Sequence, residues 1–349
     1  MAGLCLLLGG GWLSFRGQSF ESTGHYFVGE LAGEMAVSFL LRSADEHRQV
    51  EGSLSDLREW SRIEGSKESP WFQGVSRSRS GEGYETNATF RARIQSDTLA
   101  GELFRSDTTR AFSLPLVGTE RNLHHSLDFR VGKYGCKREA SVRIPQLESR
   151  MRSIEAVNAL FRSQADQEIA TFFEDYWSVL KDSVRLPGAS FNWSLDTTYR
   201  LHVLEPNLVS AWAEHYSYTG GAHGNTSHTG LNISWSDDGT VRIYDLEDLF
   251  PNIDEAIKLT SIACLESLEE QGAAEVVGGR VSSFDREDLR TFVMDRHGIL
   301  FVFAPYHVGP YVQGAFQVRV PADVLSPLLG NDSLSTAVKQ LWNGGSKNL

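Results

Sequence analysis

The spacing of hydrophobic residues changes near Gly118, and this change restricts the fold more than any other feature of the sequence. Between residues 20 and 118, apolar and polar residues alternate in short runs separated by glycines, as in Met35, Val37 and Phe39. Such alternation is typical of antiparallel strands with one solvated face, and no helix-length pattern interrupts it. We therefore predict a small antiparallel all-β module over residues 20–118.

Two long amphipathic helices are predicted beyond this module. Apolar residues recur at spacings of three and four from Ser149 to Ser183, and a second such pattern runs from Asp254 to Gln271. The intervening segments alternate like strands, with a hairpin signal at Asp237-Asp238-Gly239, because Asp-Gly readily adopts positive φ angles. Residues 119–349 are therefore predicted to be an α+β domain whose antiparallel sheet is packed by the two helices.

Charge and hydropathy exclude several classes of partner. Acidic residues outnumber basic ones by 45 to 33, for a formal net charge of −12. Such a chain repels phosphate backbones, so we expect no nucleic-acid partner. The apolar opening from Leu4 to Leu13 is too short to span a bilayer, which takes about 20 residues. It is similar to the core of an export signal that lacks its basic start and its cleavage site.

We interpret residues 1–19 as a remnant leader, shortened by a start codon placed too late, and expect an extracytoplasmic location in the periplasm or cell envelope. If a leader is removed, Cys136 and Cys264 remain as a pair that an oxidising compartment could join. The alternative is that they are buried thiols, since Cys264 lies on the apolar face of the second helical pattern. The sequence leaves both readings open.

The segment from His215 to Asn225 is the first candidate binding element. An aromatic strand runs into a glycine-rich turn whose backbone N–H groups could bind an anion or a carbonyl. The alternative is that the glycines only permit a sharp turn while the histidine caps a neighbouring strand. The candidate ligand-binding residues are Tyr216, Tyr218, Gly220, Gly221, His223 and Asn225.

The segment from Ala304 to Gly314 is the second candidate. Tyrosines spaced by turn residues can form a recognition surface that loses little side-chain entropy on binding. The alternative is a wide loop held by ring stacking. The candidate residues are Tyr306, Gly309, Pro310, Tyr311 and Gly314.

Motifs for metal, phosphate or nucleophilic chemistry are not found. His215, His223 and His228 lie close in sequence, but their spacing matches no familiar zinc pattern. There is also no Gly-x-Ser-x-Gly elbow and no phosphate-binding loop. We therefore predict no metal, no cofactor and no catalytic residue.

The two candidate loops carry a resemblance to a known family. The motifs Tyr216 to His223, Asp245 to Phe250 and Phe303 to Gly314 resemble domain of unknown function 3298, over about residues 120–329. That domain forms the extracytoplasmic part of the anti-sigma factor RsiV, where it binds lysozyme, and it also precedes peptidoglycan deacetylase domains. The resemblance implies an envelope-protein or peptidoglycan-derived ligand. It does not extend to residues 20–118, and the chain has no sigma-binding segment.

The leading hypothesis is a non-enzymatic extracytoplasmic binding domain of the bacterial cell envelope, whose ligand is a lysozyme-like protein or a cell-wall fragment. One alternative is a cell-wall-directed hydrolase that uses His223 as a general base. Another is a structural scaffold in which the N-terminal β module binds the ligand. The distances from His223 to carboxylates, nucleophiles and other imidazoles distinguish the first two.

Overall fold

The computed structural model of the protein describes most of the chain. The described residues are 14–18, 24–31, 35–43, 49–55, 60–68, 71–80, 83–105, 108–131, 134–148, 153–183, 192–236 and 238–343. The fold is α+β, as predicted. It contains one large, mostly antiparallel sheet and a separate three-stranded sheet.

The N-terminal strands form a ring. The ring strands are β2 (His25–Leu31), β3 (Met35–Ser43), β4 (Gln49–Ser55), β5 (Trp60–Glu68), β6 (Trp71–Ser80), β7 (Gly83–Gln95), β8 (Thr98–Arg105) and β9 (Thr108–Val131), and β1 (Ser14–Gln18) pairs with β9 beside them. From β2 to β9 each strand pairs antiparallel with the next, and β9 also pairs with β2, so the eight strands close on themselves. The cluster buried inside includes Phe27, Phe90 and Leu114.

Strand β9 links this ring to the rest of the sheet. Residues 108–115 pair with β8, residues 112–119 pair with β2, and residues 118–131 pair with β10 (Tyr134–Leu147). The predicted boundary after residue 118 therefore falls inside one continuous strand, and the division into modules stays a prediction. Of the predicted leader, residues 14–18 form β1, which pairs with β9. Residues 1–13 and 19 lie outside the described residues.

The first predicted helix is α1 (Ile154–Ser183), which connects two parallel neighbours, β10 and β11 (Trp193–Glu205). Parallel strands need a long crossover, and this helix provides it. The buried residues Val157, Phe161 and Ala165 follow one another at spacings of four and belong to a core cluster shared with the sheet. The side chain of the buried Asn158 both accepts a hydrogen bond from the Leu147 N–H (2.8 Å) and donates one to its carbonyl (2.9 Å).

The sheet continues through an antiparallel meander of β12 (Leu208–Tyr218), β13 (Asn225–Trp235) and β14 (Val241–Ile243). The predicted hairpin between β13 and β14 is present, and Gly239 has a φ of 88°. Its neighbour Asp237 lies outside the described residues.

The second helix does not pack on the same sheet as α1, in contrast to the prediction of one sheet for both. Helix α3 (Ile253–Glu270) covers a separate sheet of β15 (Phe292–Asp295), β16 (Gly298–Phe303) and β17 (Phe316–Pro321). The short helices around it are α2 (Leu246–Leu249), α4 (Ala274–Val277), α5 (Ala322–Leu325), α6 (Ser333–Trp342) and two 3-10 turns, Tyr311–Gln313 and Ser326–Leu328.

Cys264 lies on the buried side of α3, whereas Cys136 is buried in β10, and no disulfide joins the two. Burial raises the pKa of the Cys264 thiol far above its usual value. Within the described part of the chain, no helix combines the length and the apolar character needed to cross a bilayer.

A polar contact joins the two sheets. The Asn232 side chain of β13 donates to the Phe292 carbonyl of β15 (3.0 Å), and the Ser210 hydroxyl accepts from the Met294 N–H (2.8 Å). Ser210 in turn donates to Asn232 (2.5 Å), so both buried side chains replace backbone partners that β15 lacks on that edge. Beside them a Cβ on Gly230 would lie 1.9 Å from the Phe292 oxygen. The sheets approach this closely only because position 230 is glycine.

Candidate functional site

The two candidate loops meet, although they belong to different sheets. The first joins β12 to β13, and the second joins β16 to β17. The His223 ring stacks on the Tyr311 ring, with centroids 4.4 Å apart and an angle of 25° between the planes. The Tyr311 hydroxyl also donates a hydrogen bond to the Gly224 carbonyl (3.1 Å). The joint between the sheets therefore brings together residues that are 87 positions apart.

Gly224 is the centre of this contact. A Cβ at that position would lie 2.3 Å from Cζ of Tyr216, so the tyrosine ring lies directly on the glycine backbone. The His223 Nδ1–H donates to the carbonyl of the same glycine (2.8 Å). Three aromatic side chains thus surround one buried glycine.

The remaining residues of the first loop shape the turn. Gly220 and Gly221 have φ angles of 100° and 98°. Residues with a Cβ rarely adopt such positive φ angles, so glycine suits both positions. The Tyr218 hydroxyl donates to the Gly221 carbonyl (3.0 Å), so this tyrosine closes the turn. Asn225 begins β13, opposite Ser217, and its side chain is exposed.

The second loop is held by its own backbone. The Tyr306 N–H donates to the Gly309 carbonyl (3.1 Å), and Tyr306 itself has a φ of 72°, a conformation that costs a non-glycine residue about 1–2 kcal/mol. Pro310 precedes the 3-10 turn, and Gly314 ends it with a φ of 71°.

Gln313 anchors this loop to the helical layer and was not predicted from sequence. Its side-chain oxygen accepts from the Ala274 N–H (3.2 Å), and its amide donates to the Gly272 carbonyl (2.9 Å). Gly309 leaves the space for this side chain, since a Cβ there would lie 2.2 Å from the glutamine oxygen.

Apolar side chains protrude from the same surface. Tyr216 is 43% exposed, Tyr306 is 60% exposed and Val312 is 81% exposed. The Tyr306 and Tyr311 rings lie 5.5 Å apart between their centroids. We refer to Tyr216, His223, Tyr306, Tyr311 and Val312 as the aromatic patch. Val312 was missed by sequence reasoning, because a lone valine in a turn carries no pattern.

A second polar contact holds the loop that carries Tyr306. The His307 Nε2 atom is 2.9 Å from Oδ1 of Asp288, and its ring contacts Phe284 and Phe303. Burial alone would raise the pKa of Asp288, but hydrogen bonds from the Asp285 backbone and from His307 outweigh it and lower that pKa below the usual value. The pair links this loop to the segment that contains Asp288.

The surroundings of His223 are those of a packing residue. Its contacts among the described residues are the Gly224 carbonyl and the Tyr311 ring. His215 bonds instead to Glu168, and His228 lies 3.8 Å from Glu214, so the three histidines do not form one site. In the described ranges, no group of three or more His, Cys, Asp or Glu residues could hold a metal ion.

Comparison with known families agrees with the resemblance in the two loops. Residues 137–226 match the family model described as "Deacetylase PdaC", and residues 244–323 match "Protein of unknown function (DUF3298)". Along the chain, the PdaC match is followed by the DUF3298 match. The first loop lies at the end of the PdaC match and the second within the DUF3298 match, so both matched regions contribute residues to the aromatic patch. No curated protein matches the chain.

Two solved structures of the DUF3298 family are similar to this chain. One, from Bacteroides fragilis NCTC 9343, is 17% identical with a TM-score of 0.40 and covers 64% of this chain and 99% of its own. The other, from Pseudomonas aeruginosa PAO1, is 15% identical with a TM-score of 0.44 and covers 61% of this chain and 94% of its own.

Proposed function

We propose that this protein is an extracytoplasmic binding module of the bacterial cell envelope, and that its aromatic patch binds a protein partner without taking part in catalysis. The observation that carries the proposal is the exposure of Tyr306 and Val312, at 60% and 81%, on loops that are firmly held. Large apolar side chains grouped on a surface are a common mark of protein interaction sites.

The rigidity of the loops favours recognition. Hydrogen bonds from Tyr311, Gln313 and Tyr218 fix both turns in the unbound state. A surface that is already ordered loses little conformational entropy when a partner binds, and tyrosine has few rotamers to lose.

A protein fits this surface better than a small ligand. Pockets for small molecules usually enclose about 70–90% of the ligand surface, whereas Tyr306 and Val312 project outwards. Projecting apolar side chains instead suit insertion into a groove on a partner. The RsiV-type resemblance makes a lysozyme-like protein the first candidate, and a cell-wall fragment is the alternative.

The experiment is a calorimetric titration of the full chain with a lysozyme and, separately, with soluble muropeptides. We expect micromolar binding of the lysozyme, weakened at least tenfold by Tyr306→Ser or Val312→Ser. Ile262→Ala is the matched control, because Ile262 is an exposed apolar residue on α3, outside the two loops.

Two results would count against the proposal. Binding of neither probe tighter than about millimolar, which is −4 kcal/mol, contradicts a recognition role for these ligand classes. Lysozyme binding that both patch variants retain would locate recognition elsewhere, as in the alternative in which residues 20–118 bind. Binding of muropeptides alone would favour the cell-wall fragment.

A further inference from the structure

A second polar cluster lies on the other face of the large sheet from the aromatic patch. It combines Glu168 of α1, Thr197 of β11, His215 of β12 and Thr229 of β13. Successive residues of a strand point to opposite faces, so His215 and Tyr216 belong to different surfaces. The cluster therefore requires an explanation separate from the patch.

The contacts within the cluster follow a fixed order. The His215 Nδ1 atom lies 2.6 Å from Oε1 of Glu168, and a carboxylate can only accept, so Nδ1 carries the proton. The other ring nitrogen, Nε2, lies 3.1 Å from the Thr229 hydroxyl oxygen. In the neutral ring Nε2 is an acceptor, and the hydroxyl donates to it. The Thr197 hydroxyl donates to the same carboxylate oxygen and holds it in place.

Solvent exposure increases from Glu168 and His215 to Thr229. The side chains of Glu168 and His215 are 19% and 17% exposed, whereas Thr229 is exposed. The second carboxylate oxygen of Glu168 is buried and has no hydrogen-bond partner among the described residues. An unsatisfied buried oxygen costs about 1–3 kcal/mol, so packing alone does not account for this carboxylate.

We propose that Thr229, His215 and Glu168 form a hydroxyl-activating triad that accepts an acyl group from a small ester. The Thr229 oxygen attacks the ester carbonyl carbon, and its proton passes to Nε2 of His215. The bond between that carbon and the alcohol oxygen then breaks, and the alcohol leaves with a proton from Nε2. Water attacks the acyl-threonine in the same way, which releases the carboxylic acid and restores the hydroxyl. Glu168 is a positioning residue that holds the imidazole in the required tautomer.

The test uses the full chain and p-nitrophenyl acetate as the probe ester. We expect release of p-nitrophenolate and an added acetyl group on Thr229, located by peptide mass spectrometry. Thr229→Val is nearly isosteric at an exposed position and should lower the rate at least 100-fold, as should His215→Asn. Thr229→Ser keeps the hydroxyl and should retain the reaction.

The controls separate chemistry from folding. Thr226→Val lies on the same strand but on the opposite face and should leave the rate unchanged. Glu168→Gln should lower kcat with little change in KM, since the residue acts through the imidazole, whereas a general loss of structure would alter both. Thermal unfolding midpoints verify that each variant is folded.

Acetylation of another residue, or an equal rate in Thr229→Val, would overturn the proposal, as would an inactive Thr229→Ser. These outcomes do not bear on the aromatic patch, because its variants and its probes are different. The two proposals can therefore fail independently.

Discussion

Gly230→Ala should loosen the joint between the two sheets. The new Cβ would lie 1.9 Å from the Phe292 carbonyl oxygen, where an ordinary contact is about 3.3 Å, so the two backbones must separate by about 1.4 Å. Because the obstruction is backbone on both sides, no rotamer change relieves it. The separation also breaks the hydrogen bond from Asn232 to that carbonyl, which is 3.0 Å long and buried.

The expected cost combines two effects. Overpacking a well-packed core costs about 1–3 kcal/mol, and leaving buried polar partners unmatched costs about 1–3 kcal/mol more. We therefore expect the free energy of unfolding of the C-terminal part to fall by about 2–6 kcal/mol. Since the joint brings the two loops together, the stack of His223 on Tyr311 should be lost as well.

Hydrogen exchange of the Met294 amide is the local assay, because this N–H donates across the joint to the Ser210 hydroxyl (2.8 Å). Gly221→Ala is the control: its φ of 98° is strained for alanine, but nothing lies within 4 Å of the new Cβ. We expect about 1–2 kcal/mol for the control. Equal exchange rates at Met294 in the two variants would refute the contact argument.

Three further predictions concern single side chains. Tyr311→Phe removes the hydrogen bond to the Gly224 carbonyl and should weaken the anchoring of the first loop by about 1 kcal/mol. The measurement is amide exchange over residues 219–225, which should become faster; unchanged exchange would contradict this role of the hydroxyl. Burial lowers the pKa of His202 well below 6.5, so the unfolded chain binds a proton that the folded chain does not, and stability should fall as pH drops below 6.5, by up to about 1.4 kcal/mol per unit. His202→Gln should reduce this pH dependence of the free energy of unfolding, measured by urea unfolding at several pH values. The same dependence on pH in the variant would refute the assignment to His202. Cys264→Ser should lower the thermal midpoint more than Cys264→Ala, because burying the serine hydroxyl in an apolar core costs about 1–3 kcal/mol. A serine variant as stable as the alanine variant would contradict this prediction and indicate a polar partner at that position.

The hydrophobic periodicity of the sequence was sufficient to predict the elements of the fold. The three-and-four spacing predicted a helix over 149–183, and the structure has α1 at Ile154–Ser183. The turn ending in Gly239 predicted the hairpin of β13 and β14. These signals are local, since the partners that create them lie within a few residues of each other in the chain.

The arrangement of these elements could not be predicted in the same way. Closure of the ring depends on β9 pairing with both β2 and β8. The separate sheet under α3 depends on which strands pair with one another, and several strands have a similar hydrophobic pattern. Strand pairing between distant segments leaves no periodic trace in the sequence, so one sheet for both helices was the simpler and incorrect prediction.

The sequence alone determined which loops are unusual, because glycine and tyrosine at fixed turn positions are a local signal. Only the tertiary structure decided that Gly224 lies beneath Tyr216 and Tyr311, and that Glu168 of a helix faces His215 of a strand 47 positions later. Such contacts are set by the packing of whole layers, which depends on interactions summed over the core and not on the residues that finally meet.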